Sequence, residues 1–178
     1  MLKAAEEVFY QKDYRSAKLA DIACRANVPV GLIYSYFKNK AELFDAVVGS
    51  VYKSFFQAME AEEALEEGNG LSRFEKVGNK YLYQLFENHN NFVILVDKSG
   101  GTSYENAKEE MIARLGKHIT IGIARHTEKK YDPILAHILA NNYTEGLIEI
   151  ARHYRGRDWA VKMLNILNQC YYKGVLSL

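Results

Sequence analysis

Leu19-Ala-Asp-Ile-Ala-Cys-Arg-Ala-Asn-Val-Pro-Val-Gly-Leu-Ile-Tyr-Ser-Tyr-Phe-Lys-Asn-Lys40 is built as two short helices joined by a tight turn. Apolar residues recur at helical spacing over Leu19 to Ala26 and again over Val30 to Phe37. Asn27, between them, is a residue type that tolerates the left-handed conformation a sharp turn requires. Pro29 suits the first turn of the second helix. Ile22 and Ala26 face Val28, Ile33 and Phe37 across the turn, and the small Ala23 lets the two helices cross closely. That packing leaves Val30, Gly31, Leu32, Tyr34, Ser35 and Tyr36 on the open side of the second helix. A helix presented in this way fits the major groove of B-form DNA, with its N-terminal residues at the base edges.

Outward from this stretch the chain stays helical. Leu2, Ala5, Val8 and Phe9 mark a first helix ending near Lys12. After a turn at Lys38 and Asn39, a long fourth helix starts near Lys40, with a stripe of Phe44, Val47, Val48, Val51, Tyr52, Phe55 and Met59. Gly68-Asn69-Gly70 breaks the chain. Phe74, Val77, Tyr81 and Leu85 then predict a fifth helix, and Phe92 to Val96 is a short apolar segment. Ser99-Gly100-Gly101 reads as a loop, with Ser103 as the cap of the helix that carries Ile112, Leu115, Ile119 and Ile123. Pro133 opens another helix, and the last runs from about Asp158 to Lys173. No strand-like alternation persists. The expectation is an all-α chain, with an N-terminal three-helix helix-turn-helix domain over 1–47 and a helical domain over 48–178, the boundary falling inside the fourth helix.

The net charge is only +1, so the whole chain is not a polybasic binder of nucleic acid. The charge is nevertheless uneven. Lys12, Arg15, Lys18, Arg25, Lys38 and Lys40 face only Asp13 and Asp21 between Gln11 and Lys40, whereas Glu60 to Glu67 is acidic. A locally basic segment on a neutral body suits one polyanion-binding module. Cys24 and Cys170 form no CxxC pair and read as buried thiols of a reducing compartment. With no secretory signal and no apolar run approaching the ~20 residues of a membrane span, a cytoplasmic location without membrane contact is expected. No P-loop, GxSxG or Cys/His arrangement assigns a catalytic residue. His118 and His126, with His89 or His137, lack the spacing of a metal site, so neither metal nor cofactor is expected.

The last helix is apolar on more than one side. Leu164, Leu167 and Tyr171 form one stripe, and Met163, Ile166 and Cys170 an adjacent one. A surface helix needs only one. The second fits a homodimer through the last two helices, packed as a four-helix bundle on a twofold axis.

The N-terminal pattern resembles the DNA-binding domain of the TetR (tetracycline-repressor-like) family of bacterial regulators. The resemblance rests on Ala4-Ala5, Phe9, Tyr14, Asp21-Ile22-Ala23, Val28, Gly31, Ile33-Tyr34, Tyr36-Phe37, Lys40 and Glu42-Leu43, in register over about the first 50 residues. It departs from the family at Ala17, where Ser or Thr is frequent, at Asn27, where glycine is common, and at Pro29, which replaces a frequent Ser. The resemblance implies a double-stranded DNA operator read by Val30, Gly31, Leu32, Ser35 and Tyr36. It implies a thymine methyl for Leu32, a phosphate for Tyr34, a phosphate or base for Tyr36, and phosphates for Lys40 and Lys18.

It further implies a ligand-binding and dimerisation role for the second domain, whose small-molecule effector the sequence does not identify. Tyr81, Phe86, His89, Phe92, Asp97, Tyr104, His118 and Tyr143 are the candidates to line its pocket. The expected function is a ligand-responsive transcriptional regulator, a repressor released from a palindromic operator. The alternative is a helical small-molecule or protein-binding module that has lost DNA binding.

Overall fold

Helical periodicity throughout the chain becomes helices throughout the computed structural model, which describes residues 1–65 and 73–178. The elements are α1 (Leu2–Gln11), α2 (Leu19–Ala26), α3 (Val30–Tyr36) and α4 (Lys40–Glu63), followed by a π-helical turn (Phe74–Gly78) that continues into α5 (Asn79–Glu87). Then come α6 (His89–Asp97), α7 (Ala107–His126), α8 (Ile134–Arg152) and α9 (Arg157–Leu176). The Gly68-Asn69-Gly70 break lies outside the described residues. Among the described residues there is no strand, and no helix is long and apolar enough to cross a membrane.

The first three helices close on the start of α4. Ala5, Phe9, Ile22, Ile33, Leu43 and Phe44 are buried in one core. The Phe44 ring meets Phe9 edge-on at 5.0 Å and Tyr14 at 5.2 Å between centroids, an arrangement that aromatic quadrupoles favour. Asn27 takes φ 52° and ψ 47°, as the turn requires. Its N–H reaches Cys24 O at 3.1 Å and the Val28 N–H reaches Ala23 O at 3.0 Å, so carbonyls at the end of α2 find donors across the turn. Pro29 stands at the N-cap of α3, one position before the helix proper.

The start of α4 is tied twice. Asn39 Oδ1 accepts the Glu42 N–H at 2.9 Å, and Glu42 Oε2 accepts the Lys38 N–H at 2.6 Å. This closely follows the capping-box pattern, which Asn39-x-x-Glu42 carries in plain sequence. From there α4 runs 24 residues without interruption and packs on α1 at one end and on α5, α6 and α7 beyond.

The junction between the two halves is polar at its edges. Tyr14 donates its N–H to Lys98 O at 2.9 Å, and Asn90 Nδ2 donates to Glu6 Oε1 at 2.9 Å. The Tyr104 hydroxyl donates to Asp45, and the Tyr52 hydroxyl to Glu110 at 2.5 Å. Farther on, α8 packs against α6, α7 and α9. A Cβ on Gly146 would stand 2.9 Å from a side-chain methyl of Leu167, so a larger residue would make Leu167 shift where α8 and α9 meet.

Two sequence expectations are corrected here. Cys24 and Cys170 are exposed, not buried. On α2 the buried face is Ile22 and Ala23, and on α9 it is Ala160, Leu164, Asn168 and Tyr172, so each cysteine is rotated out of the stripe beside it. Ser103 does not cap α7, whose N-cap is Asn106. The segment before α7 folds on itself instead, with the Thr102 hydroxyl donating to Ser99 O at 2.7 Å and the Ser99 hydroxyl to Tyr104 O at 2.9 Å. The apolar segment at Phe92 to Val96 proves to be the middle of α6, whose Phe92, Val93, Ile94 and Leu95 are all buried.

Phe44 and Asn39 test how the first three helices are held on α4. Phe44→Ala is expected to lower the unfolding free energy by about 3–5 kcal/mol through the cavity it leaves. Asn39→Ala is expected to cost about 1 kcal/mol as a lost cap. Urea denaturation of the two variants against the parent checks both.

Candidate nucleic-acid interface

The open face of α3 forms from the residue alternation that buries Ile33. Ile33 is 0% exposed, whereas Leu32, Tyr34 and Tyr36 are 39%, 57% and 69% exposed. Val30, Gly31 and Ser35 share the exposed side. A Cβ at Gly31 would meet nothing within 4 Å, so the backbone there is open to close approach. The Ser35 hydroxyl donates to Gly31 O at 3.3 Å within the helix.

The basic residues around this face divide into those already paired and those still open. Lys12 is bound to Asp21 and Arg25 to Glu7, each at 2.7 Å. Lys18 and Lys38 are exposed and have no ion pair among the described residues. Lys40, expected at a phosphate, has a different local role. Its ammonium donates to Tyr14 O at 2.7 Å and Ala17 O at 2.9 Å, and lies 4.3 Å from the centre of the Tyr14 ring. An ammonium has only three donors. Lys40 therefore straps the α1–α2 connection to the start of α4, a role no periodicity reveals.

The second half of the chain carries a cavity between α4, α5, α7, α8 and α9. Its inner lobe, about 20 Å³, is lined by Phe55, Met59, Glu62, His118, Tyr143 and Tyr171 among others. An outer lobe of about 30 Å³ shares Glu62, His118, Tyr171 and Tyr172 and adds Glu63, Arg73 and Arg125. Glu62 is 4% exposed. The Tyr172 hydroxyl donates to its two oxygens at 3.2 and 3.0 Å, and His118 Nε2 stands 3.4 Å away. His118 Nδ1 lies 3.0 Å from Glu63, whose two oxygens take a bidentate pair from Arg114 at 2.8 Å each.

These contacts shift the titrations. The hydrogen bonds from Arg114, added to by His118 and opposed by burial, hold the Glu63 carboxyl down at about 2. Burial works against a charged His118, but Glu62 and Glu63 outweigh it and raise the imidazole above its usual 6.5.

Of the residues expected to line a pocket, His118 and Tyr143 line the inner lobe. Phe86 and Phe92 are core. Tyr81 packs at the core edge with Lys80 Nζ 4.7 Å from its ring centre. His89 stacks on Tyr154 at 3.9 Å between ring centres, and Asp97 is held by Arg152. Tyr104 belongs to the junction, on Asp45 and against Tyr52. Aromatic content does not separate a ring that lines a cavity from one that fills a core.

Glu62, Tyr171 and Tyr172 were absent from that expectation. The signal was present for Glu62, since Phe55, Met59 and Glu62 stand at i, i+4 and i+7, which puts a carboxylate on the buried stripe of α4. No group of His, Cys, Asp or Glu among the described residues is arranged to hold a metal, and the side chain of His126 lies outside them.

Residues 1–47 match the family described as bacterial regulatory proteins, tetR family. The HTH-type transcriptional regulator TtgR of Pseudomonas putida is 36% identical over 77 residues, 43% of this chain. That match spans only 37% of the length of TtgR. In fold, the TetR family transcriptional regulator PfmR from Thermus thermophilus superposes with a TM-score of 0.70 at 18% identity, over 97% of this chain and 96% of that one. FadR from Bacillus subtilis, solved in complex with stearoyl-CoA, superposes with a TM-score of 0.61 at 21% identity, over 97% of this chain and 96% of that one. At such identities the likeness is one of fold.

The lowered Glu63 carboxyl predicts an acid limb in stability. A depressed acid contributes in full above its usual 4.5, and the contribution is lost as pH falls towards about 2. Glu63→Gln is expected to be less stable at neutral pH and to show a shallower loss across that window. Thermal melts from pH 7 downward check this; parallel curves for parent and variant would exclude it.

Proposed function

We propose, on the premise that the chain belongs through residues 1–47 to the tetR family of bacterial regulatory proteins, that it is a homodimeric DNA-binding repressor released from a palindromic operator by a small molecule. The support is the open face of α3, where Val30, Leu32, Tyr34 and Tyr36 stand in solvent on a helix fixed from behind by Ile33. Contiguous exposed apolar and aromatic side chains mark a surface that meets a partner. Residues 1–47 are the reading head in this proposal. Leu32 meets a thymine methyl, Gly31 lets the backbone approach, and Tyr34, Ser35 and Tyr36 donate to phosphates or base edges. Lys18 and Lys38 supply the free cations for phosphate. Lys40 acts behind them, by holding the segment that leads into α2.

Residues 48–178 pair the two heads and receive the signal. On α8 and α9, Ile134, Ile138 and Ile166 are 54%, 47% and 48% exposed, which supports a self-complementary contact through these helices. Two heads related by a twofold axis read half-sites about 34 Å apart. The cavity at the C-terminal end of α4 is the place for the effector. Drug-sized ligands occupy roughly 300 Å³ or more, far beyond the closed lobes of about 20 and 30 Å³. Binding must therefore part α4 from the helices around it, and the unbroken α4 carries that displacement to Lys40 and the head.

Gel shifts on fragments of the surrounding genomic DNA test the reading. Lys18→Ala and Lys38→Ala should each weaken binding to all sequences, and each should reduce the salt slope by about 0.9 for every phosphate left without its cation. Lys40→Ala should lower affinity together with thermal stability, because it loosens the head. Leu32→Ala should relax the preference at one thymine position while leaving the melting temperature unchanged. A protein that ignores such DNA at low salt would refute the proposal. By sedimentation, Ile138→Asp with Ile166→Asp should give monomers.

A further inference from the structure

The charges around the cavity are unevenly divided between its two lobes. Arg73, Arg125 and Glu63 line the outer lobe only. The inner lobe has Glu62 and His118 as its titratable charges, among Phe55, Met59, Leu82 and Leu115 and three tyrosines. Glu63 is matched by Arg114 in a bidentate pair, whereas the ion-pair contact to Glu62 is His118 Nε2 at 3.4 Å, from a ring that Glu63 also holds at 3.0 Å. A carboxylate 4% exposed in apolar surroundings carries a large desolvation cost unless a cation meets it closely.

Tyr143, Tyr171 and Tyr172 stand together at the same lobe. Their ring centres are 4.7 Å apart for Tyr143 and Tyr171 and 5.0 Å for Tyr171 and Tyr172. Burial first, and then the Glu62 charge, pushes their hydroxyls up, so all three stay neutral at physiological pH. Tyr143 donates to Asn168 and Tyr172 to Glu62. With its hydroxyl occupied, what Tyr143 can still offer a ligand is ring surface, as can the neighbouring Tyr171, and the negative face of such a ring attracts cations.

We infer that the inner lobe selects a hydrophobic organic cation, an amine or quaternary ammonium, with Glu62 taking its charge and the rings of Tyr143 and Tyr171 taking its substituents. The inference rests on the reading of this chain as an effector-responsive regulator and narrows the chemical class of the effector. A carboxylate ligand in the same lobe would face Glu62 at close range, while the arginines among the described lining residues, Arg73 and Arg125, stand in the outer lobe. A neutral isostere would forgo the ion pair and the attraction of the rings.

Calorimetry on the full chain tests the class with a 4-phenylbutyl-trimethylammonium salt, its neutral tert-butyl isostere, a phenyl-substituted carboxylate of the same length, and stearoyl-CoA. The cation is expected to bind at least about tenfold more tightly than the isostere, and Glu62→Gln to bring the two within about threefold of each other. Tyr171→Leu should weaken the cation severalfold and the isostere less, and it carries the test if Glu62→Gln fails to fold by circular dichroism. Equal binding of cation and isostere, tighter binding of the carboxylate or of stearoyl-CoA, or no binding of the cation overturns the inference. Operator release measured in parallel separates the two readings. Cation binding without release keeps the charge assignment and removes the regulatory role, whereas release by the carboxylate keeps the regulatory role and removes the cation.

Discussion

The Lys40 ammonium and the Glu62 carboxylate lie near opposite ends of one unbroken helix, α4, whose 24 residues span about 36 Å at the usual rise of 1.5 Å each. At one end Lys40 grips the carbonyls of the α1–α2 connection. At the other, Glu62 and Glu63 enter the cavity and engage Tyr172, His118 and Arg114. α4 thus joins the α1–α2 connection to the wall of the cavity, and the bonds of Asp45 with Tyr104 and of Tyr52 with Glu110 tie it to the second half of the chain.

The head itself is small, and its order comes from a few large buried groups. Phe9, Phe44 and Tyr14 interlock by their ring edges, and Ile22 and Ile33 fill the crossing of α2 and α3. A seven-residue helix such as α3 has little stability alone. It holds its place because Ile33 is buried and because Asn27 and Pro29 fix the chain on entry. The same economy explains the apolar character of its outer face. With Ile33 turned inward, Val30, Leu32, Tyr34 and Tyr36 are left largely in solvent.

The cavity in the second half follows the opposite rule. Its lining is apolar and aromatic, as in any helical core, but one residue in the buried stripe of α4 is an acid. Burying Glu62 is unfavourable unless it has partners, and those it has are a tyrosine hydroxyl and a histidine shared with Glu63. The neighbouring Glu63 faces Arg114 instead, whose bidentate hydrogen bonds hold its carboxyl down at about 2.

The positions of α1 to α4, the left-handed turn at Asn27 and the glycine on the exposed side of α3 were legible in the sequence, because each depends on spacing within a few turns. The same holds for Leu32 and Tyr34, which stand about 100° to either side of the buried Ile33, whereas Tyr36, at i+3, is exposed because α3 ends there. What lies far apart in the chain was decided only by the tertiary structure. The strap that Lys40 makes was not legible, because its carbonyl partners are more than twenty residues away. Ser103 lost its capping role to a local fold of the Ser99–Tyr104 segment, and Cys24 and Cys170 turned outward beside apolar stripes that left them out. Tyr104, Phe92 and Asp97 were drawn to the junction, the core and an ion pair, while Glu62, Tyr171 and Tyr172 were brought together from opposite parts of the sequence. Local periodicity sets which face of a helix is buried; what that face is buried against depends on contacts that close across the whole chain.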